Sequence, residues 1–125
     1  MKKIIDTDKA PAAIGPYSQA VETNGTLYIS GQVPINPETG SVVEGGIVEQ
    51  TQQVMKNIEA ILDEAGYSFK DVVKSTCFLS DMANFKAMNE VYGNSYPENP
   101  PARAAFAVKE LPLGVLVEIE TIAVK

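Results

Sequence analysis

Arg103 is the only arginine in the chain and its clearest candidate for binding an anion. The nearby Ala104, Ala105 and Ala107 are small, which leaves room for a ligand beside the guanidinium. The rigid fork of guanidinium N–H donors can hold a carboxylate through two parallel hydrogen bonds. The residues alone therefore leave two alternatives, a salt bridge from Arg103 to Glu118 or Glu120 on the sheet surface, which is the commoner arrangement of such residues, and a carboxylate-binding pocket.

Glu118 and Glu120 lie in the apolar run near the end of the chain, and a carboxylate there could direct a water molecule. If the last two strands pair as an antiparallel hairpin, Arg103 lies opposite Glu120. Glu118 then lies opposite Ala105, one diagonal step from the arginine. This register predicts that Arg103 and both glutamates share one face of the sheet, whereas a slip by one residue would separate them.

The residue types that the chain lacks narrow the chemistry. It has no histidine, which excludes Ser-His-Asp and Cys-His catalysis and imidazole metal sites. Its glycines fit neither a P-loop nor a dinucleotide-binding fingerprint, so we expect no nucleotide cofactor. Asp6 and Asp8 lack the spacing of a calcium loop, and no metal site is predicted. The single cysteine, Cys77, is expected to be a buried structural thiol.

Charge and hydropathy limit the partners. The 16 acidic residues outnumber the 10 basic ones, the formal net charge is -6, and the lysines form no cluster, so we expect no nucleic-acid partner. No apolar run approaches the ~20 residues of a membrane span, and the first residues lack the apolar core of a signal peptide. We expect a cytoplasmic protein, and its 125 residues predict a single domain over 1–125.

Hydrophobic periodicity and turn residues predict the elements. Asn24-Gly25 indicates a type I′ turn between two strands, and a proline- and glycine-rich surface loop follows, up to Gly46. The order of elements is a strand, a hairpin, a helix, a strand, a helix and a final hairpin. The predicted strands are 18–23, 26–30, 72–80, 103–108 and 115–124, and the predicted helices are 47–65 and about 83–95.

These elements predict an α+β fold in which both helices cover one face of a mixed sheet. Apolar residues occupy both faces of the last strand, for example Ile119 and Ile122. One domain has only enough helix for one face. We therefore expect other subunits to cover the second face.

Several segments resemble one known family. The run from Pro101 to Lys109, PARAAFAVK, followed by Val117-Glu118-Ile119, is similar to the signature of the Rid (reactive intermediate deaminase) family. APAAIGPYSQ at 10–19 and SGQVP at 30–34 resemble its RidA-type, YjgF-like branch. Asn89 and Tyr92 also fit the family pattern.

The resemblance implies a chorismate-mutase-like α+β fold, assembled as a homotrimer with sites in the clefts between subunits. It implies an enzyme, a 2-iminobutanoate/2-iminopropanoate deaminase. Such an enzyme hydrolyses small 2-imino acids, released by PLP-dependent enzymes, to 2-oxo acids and ammonia. No metal or organic cofactor is implied.

The resemblance also assigns roles to residues of this chain. Arg103 would bind the substrate carboxylate, Glu118 would direct the attacking water, and the Tyr17 hydroxyl could assist proton movement. Many relatives have a cysteine where this chain has Ala105. If this position acts through its backbone N–H, the activity is kept, and if a thiol serves a redox or regulatory purpose in those relatives, this chain lacks it. The positions that match substrate-binding residues are Ser30, Gly31, Asn89 and Ala105.

Two other functions stay open. The same cleft could sense a small carboxylate without turnover, although binding alone needs no water-directing Glu118. An endoribonuclease activity is the other alternative, and the net charge of -6 and the lack of histidine argue against it.

Overall fold

The computed structural model describes all 125 residues and contains eight strands and two α-helices. The strands are β1 (Lys3–Ile5), β2 (Ala20–Thr23), β3 (Thr26–Gln32), β4 (Ile35–Asn36), β5 (Ser41–Val42), β6 (Val72–Leu79), β7 (Ala102–Ala107) and β8 (Val117–Val124). The helices are α1 (Ile47–Ala65) and α2 (Phe85–Gly93). The predicted surface loop before α1 contains the small hairpin β4–β5.

The hairpin β2–β3 turns at Asn24-Gly25, as predicted. Both turn residues have positive φ, 49° at Asn24 and 77° at Gly25, which is the requirement of a type I′ turn. The turn fixes the register, with Thr23 opposite Thr26. The local sequence is therefore sufficient to specify this part of the sheet.

Helix α1 also ends where the sequence predicts. Gly66 adopts a left-handed conformation with φ of 81°, and Tyr67 N donates to Leu62 O at 2.8 Å, which closes the last turn. The apolar stripe that includes Val54 and Ile58 is fully buried against the sheet.

Helix α2 is shorter than predicted because a 3₁₀ turn over Met82–Asn84 precedes it. Neither helix combines the length and apolar character that a membrane span requires.

The predicted pairing of the last two strands is wrong. The six-stranded sheet has the order β1-β2-β3-β8-β6-β7, so β8 lies between β3 and β6, and β7 pairs only with β6, in parallel. In this register Arg103 is beside Ser75, and Ser75 is beside Thr121. β8 takes a central position because every second residue, such as Ile119, is fully buried under the helices, whereas the largely exposed β7 tolerates the edge.

Both helices pack on one face of this mixed sheet, which confirms the predicted α+β architecture. The opposite face carries apolar side chains that no element of the chain covers. Tyr28 is 49% exposed, Phe106 45% and Val124 43%. Phe78 and Phe106 make an edge-to-face pair there, with ring centroids 5.5 Å apart. A bare apolar surface of this kind is typical of a subunit interface.

Candidate active site

Arg103 extends from the edge strand β7 over one side of helix α2. Its Nη1 donates to Asn89 Oδ1 at 2.7 Å, so its partner is a neutral amide. The guanidinium carbon lies 5.0 Å from the ring centroid of Tyr92 and 5.5 Å from that of Phe85. The salt-bridge alternative is therefore wrong, since both Glu118 and Glu120 lie on the other face of the sheet. The remaining N–H donors of Arg103 can bind an external carboxylate.

The free edge of β7 adds backbone donors beside the arginine. Val108 N donates to Leu79 O at 2.9 Å, so Val108 and every second residue before it point their backbone groups toward β6. The N–H groups of Arg103 and Ala105 alternate with these and point away from the sheet. This geometry gives Ala105 the backbone donor that the sequence predicts at this position.

Cys77 lies under this part of the site, directly beside Ala105 in the β6–β7 register. It is fully buried, as predicted. Burial raises the pKa of its thiol to about 11, although the nearby Arg103 acts in the opposite direction. The thiol is therefore neutral at physiological pH and has a packing role.

Glu118 lies on the face of the sheet that the helices leave open, next to Gly31. A Cβ atom at Gly31 would overlap Oε2 of Glu118 and lie 3.0 Å from its Cδ. Only glycine lets the carboxylate approach the backbone of β3 this closely. Burial, and secondarily the charge of Glu120, raises the pKa of Glu118 above the usual value of a glutamate.

Gly31 and Ser30 form a β-bulge in strand β3. The register with β8 shifts between Ile29 and Gln32, so two residues of β3 face one residue of β8. Ser30 Oγ donates to Ser18 O at 2.6 Å, and this bond uses its only hydroxyl hydrogen. Ser30 therefore fastens the preceding segment to the sheet, and toward a ligand it can act only as an acceptor.

Tyr17 is carried by that segment, which has no regular secondary structure. Its side chain is 53% exposed, and its hydroxyl oxygen accepts from Ile14 N at 3.3 Å, which leaves the hydroxyl hydrogen free. The buried side chain of Gln19 anchors the segment at its base. Gln19 Nε2 donates to Thr7 O at 2.9 Å and to Pro11 O at 2.8 Å, and Gln19 Oε1 accepts from Thr7 N at 2.7 Å.

The predicted site residues thus fall into two groups, and the shared face predicted for Arg103 and Glu118 is wrong. We call Arg103, Asn89 and Ala105 the arginine half-site, and Tyr17, Ser30, Gly31 and Glu118 the glutamate half-site. Strand β6 separates β7 from β8, and the two half-sites face opposite sides of the sheet. A single chain therefore does not bring Arg103 and Glu118 together.

The sequence analysis missed Phe85 as a neighbour of Arg103. The signal was available, because Phe85, Asn89 and Tyr92 are spaced to share one side of α2. Its meaning depended on where β7 lies relative to that helix. No group of three or more carboxylates or thiols in the chain is arranged to hold a metal ion.

Comparison with known proteins identifies the family. The profile described as Endoribonuclease L-PSP matches residues 7–125. The 2-iminobutanoate/2-iminopropanoate deaminase of Mus musculus is 52% identical, over 100% of this chain and 93% of the mouse protein.

Solved structures agree with this family assignment. The crystal structure of YyfA from Yersinia pestis, of the conserved Rid protein family, matches with a TM-score of 0.97 and 48% identity over 100% of both chains. TdcF of E. coli, solved with bound serine, matches with a TM-score of 0.93 and 39% identity, covering 98% of each chain. The chain therefore belongs to the Endoribonuclease L-PSP family, which is the Rid family that its signature segments resemble.

Proposed function

We propose that this protein is a 2-iminobutanoate/2-iminopropanoate deaminase, which hydrolyses small 2-imino acids to 2-oxo acids and ammonia. The observation that carries the proposal is Arg103, an exposed arginine on an edge strand whose hydrogen-bond partner is the neutral Asn89 amide and not a carboxylate. The name of the mouse relative, at 52% identity, supports the same substrate class. TdcF was solved with bound serine, which shares the α-carboxylate and α-nitrogen of such substrates.

Arg103 would bind the carboxylate of the substrate. Asn89 Oδ1 occupies one hydrogen of Nη1, and the other guanidinium donors are free for two parallel hydrogen bonds. Each charge-assisted bond contributes about 1.5–3 kcal/mol. The N–H of Ala105, on the same strand edge, would add a neutral donor.

Glu118 would direct a water molecule to the imine carbon. That carbon is already electrophilic, so the protein needs chiefly to orient the two reactants. Water adds to the imine carbon, Glu118 accepts the proton of the water, and the free hydroxyl hydrogen of Tyr17 passes to the nitrogen, which gives a carbinolamine. When the C–N bond breaks, Glu118 gives its proton to the departing nitrogen, and the Tyr17 oxygen takes the proton of the carbinolamine hydroxyl. Ammonia leaves, the 2-oxo acid remains, and both side chains return to their starting protonation states.

The two half-sites would meet between subunits. Because they face different directions, the arginine half-site of one subunit has to contact the glutamate half-site of the next. Such a head-to-tail contact uses two different surfaces, and it forms a closed ring when the rotation between neighbouring subunits is a whole fraction of a turn, which is one third of a turn for a trimer. We infer the homotrimer that the family resemblance implies, and the apolar open face with Tyr28 and Phe106 supplies surface to bury in it.

The family's name raises RNA cleavage as a second activity. The net charge of -6 opposes the approach of a phosphate backbone, and the chain has no histidine for acid-base work. A carboxylate sensor without turnover is the other alternative. A sensor of this kind would not explain why Glu118, a half-buried glutamate of raised pKa, lies beside Gly31.

The test generates 2-iminobutanoate in situ with a PLP-dependent threonine dehydratase and follows imine decay with and without the protein. We expect faster release of 2-oxobutanoate, in proportion to protein concentration. Heat-denatured protein is the control for buffer and trace amines. Binding of 2-oxobutanoate without any acceleration would favour the sensor, and cleavage of a labelled single-stranded RNA would favour the nuclease.

The charge of Glu120 beside Glu118 allows a prediction about the pH dependence of activity. Activity should rise with pH as Glu118 loses its proton. Glu120→Gln removes one cause of the raised pKa of Glu118, so it should shift this acidic limb of kcat/KM to lower pH. The pKa of Glu118 is higher in the folded protein than in the unfolded chain. Ionisation of Glu118 therefore lowers the stability of the fold as pH rises through the folded-state pKa. The variant should therefore also melt at a slightly higher temperature at pH 8. An unchanged limb would contradict the role of Glu118.

A further inference from the structure

We propose that Tyr92 is a positioning residue, whose ring face holds the Arg103 guanidinium in the plane that receives a carboxylate. This inference concerns the arrangement of Arg103 itself, and only its kinetic consequence rests on the proposed function. Tyr92 contacts no predicted water-directing group, and its part is exerted through the arginine.

The contacts of Arg103 come from three residues on one side of α2. The guanidinium carbon is 5.0 Å from the Tyr92 ring centroid, within the distance at which a cation is attracted to an aromatic ring. The Phe85 ring lies 5.5 Å away, and Asn89 Oδ1 accepts from Nη1. Two rings and one acceptor thus restrict a side chain that has several rotatable bonds and is otherwise exposed at a strand edge.

Tyr92 is itself held firmly. Its side chain is only 5% exposed, and its ring centroid lies 4.9 Å from that of Tyr96. Tyr96 in turn makes an edge-to-face contact with Phe69, at 5.4 Å between centroids and an interplanar angle of 82°. A series of packed aromatic rings therefore supports the guanidinium from the interior of the protein.

The ring of Tyr92, and not its hydroxyl, is the group that acts. The hydroxyl is buried beside those of Ser75 and Tyr96, and it makes no well-formed hydrogen bond with either of them. A buried hydroxyl without a good partner has lost its hydrogen bonds to water, so replacing it by hydrogen should cost little stability. Tyr92→Phe should accordingly keep the position of Arg103, whereas Tyr92→Leu should release it.

The position of the Arg103 side chain matters because substrate binding would have to order this side chain if it were mobile. A mobile guanidinium loses rotamer freedom when a carboxylate binds, which weakens the complex. The effect falls on substrate and transition state alike, so KM rises more than kcat falls. A defect in folding would instead lower the amount of active protein and leave KM unchanged.

The single arginine makes a direct test possible. ¹⁵N-arginine labelling yields one Nε–H signal, and its order parameter reports the mobility of Arg103 in the folded protein. We expect a restricted Nε–H with cross-relaxation between Arg103 side-chain protons and the Tyr92 ring. Tyr92→Phe should preserve both the order and the shift, whereas Tyr92→Leu should lower the order parameter and change the ring-current shift, leaving only the contribution of Phe85.

Tyr67→Leu is the matched control. Tyr67 is 4% exposed and also has a cation over its ring, with Lys125 Nζ at 4.9 Å from the centroid, but it lies away from Arg103. This variant should lose stability without changing the arginine signal. In the deaminase assay Tyr92→Leu should raise KM about tenfold, and the Phe variant should stay within about twofold of wild type.

Two results would overturn the proposal. One is an unchanged order parameter and shift of Arg103 in folded Tyr92→Leu. The other is the absence of cross-relaxation between Arg103 and Tyr92 in the wild type, which decides the matter even where the Leu variant does not fold. Because neither measurement needs turnover, a failed deaminase assay would contradict the proposed function and leave the positioning result standing.

Discussion

Mixing Arg103→Ala subunits with Glu118→Gln subunits should restore about one quarter of the wild-type deaminase activity, although each variant alone loses at least about 100-fold. The loss follows because one variant lacks the carboxylate anchor and the other lacks the base. Recovery follows because the half-sites of one chain face opposite sides of the sheet. When the two variants assemble at random, about one quarter of the contacts between neighbouring subunits join an intact arginine half-site to an intact glutamate half-site.

The experiment denatures the two variants together at equal concentration, refolds them and measures imine decay. Native mass spectrometry of the refolded sample checks that mixed assemblies have formed. Arg103→Ala mixed with Arg103→Leu is the control, because two defects in the same half-site can never complement each other. No recovery in verified mixed assemblies would contradict a site shared between subunits.

The local parts of the fold were predictable because their signals lie within a few residues. Asn24-Gly25 specifies a turn by its backbone preferences, and Gly66 ends α1 by adopting positive φ. Neither depends on what the rest of the chain does. The α+β class then follows from the order and number of the elements.

The pairing of the strands was not predictable in the same way. The connection between β7 and β8 has the length of a hairpin loop, but β8 pairs with β3 and β6 instead. This choice depends on which strand buries the most apolar surface, which is a property of the whole sheet. A wrong partner for Arg103 in the sequence analysis was the direct consequence.

The residue types of the site were predictable, and their separation was not. The roles of Arg103 and Glu118 stay predictions of the resemblance, and no ion pair joins the two residues within one chain because they lie on opposite faces. A site assembled from two copies leaves no pairing signal inside one sequence. Only the bare apolar face, anticipated from Ile122 and its neighbours, pointed beyond the single chain.

Gly31→Ala should lower kcat/KM by at least about 100-fold but destabilise the fold by no more than about 1 kcal/mol, because the added Cβ meets the mobile end of a side chain. The added Cβ would overlap Oε2 of Glu118 and lie 3.3 Å from its Cγ, so either the carboxylate or the β3 backbone has to move. Both movements would displace the water in the role that we propose for Glu118. Steady-state kinetics and chemical denaturation measure the two effects separately.

The matched control is Gly93→Ala, at a glycine of α2 whose added Cβ would meet no atom within 4 Å. This change should leave kcat/KM unchanged and stabilise the protein by up to about 1 kcal/mol, because alanine is the better helix former. Combining Gly31→Ala with Glu118→Ala should regain most of the stability that Gly31→Ala alone loses, since the clash then has no partner. The opposite result is a double variant whose stability loss equals the sum of the losses in Gly31→Ala and Glu118→Ala. That result would show that the contact between the added Cβ and the carboxylate does not destabilise the protein, and it would contradict our explanation of the glycine at position 31.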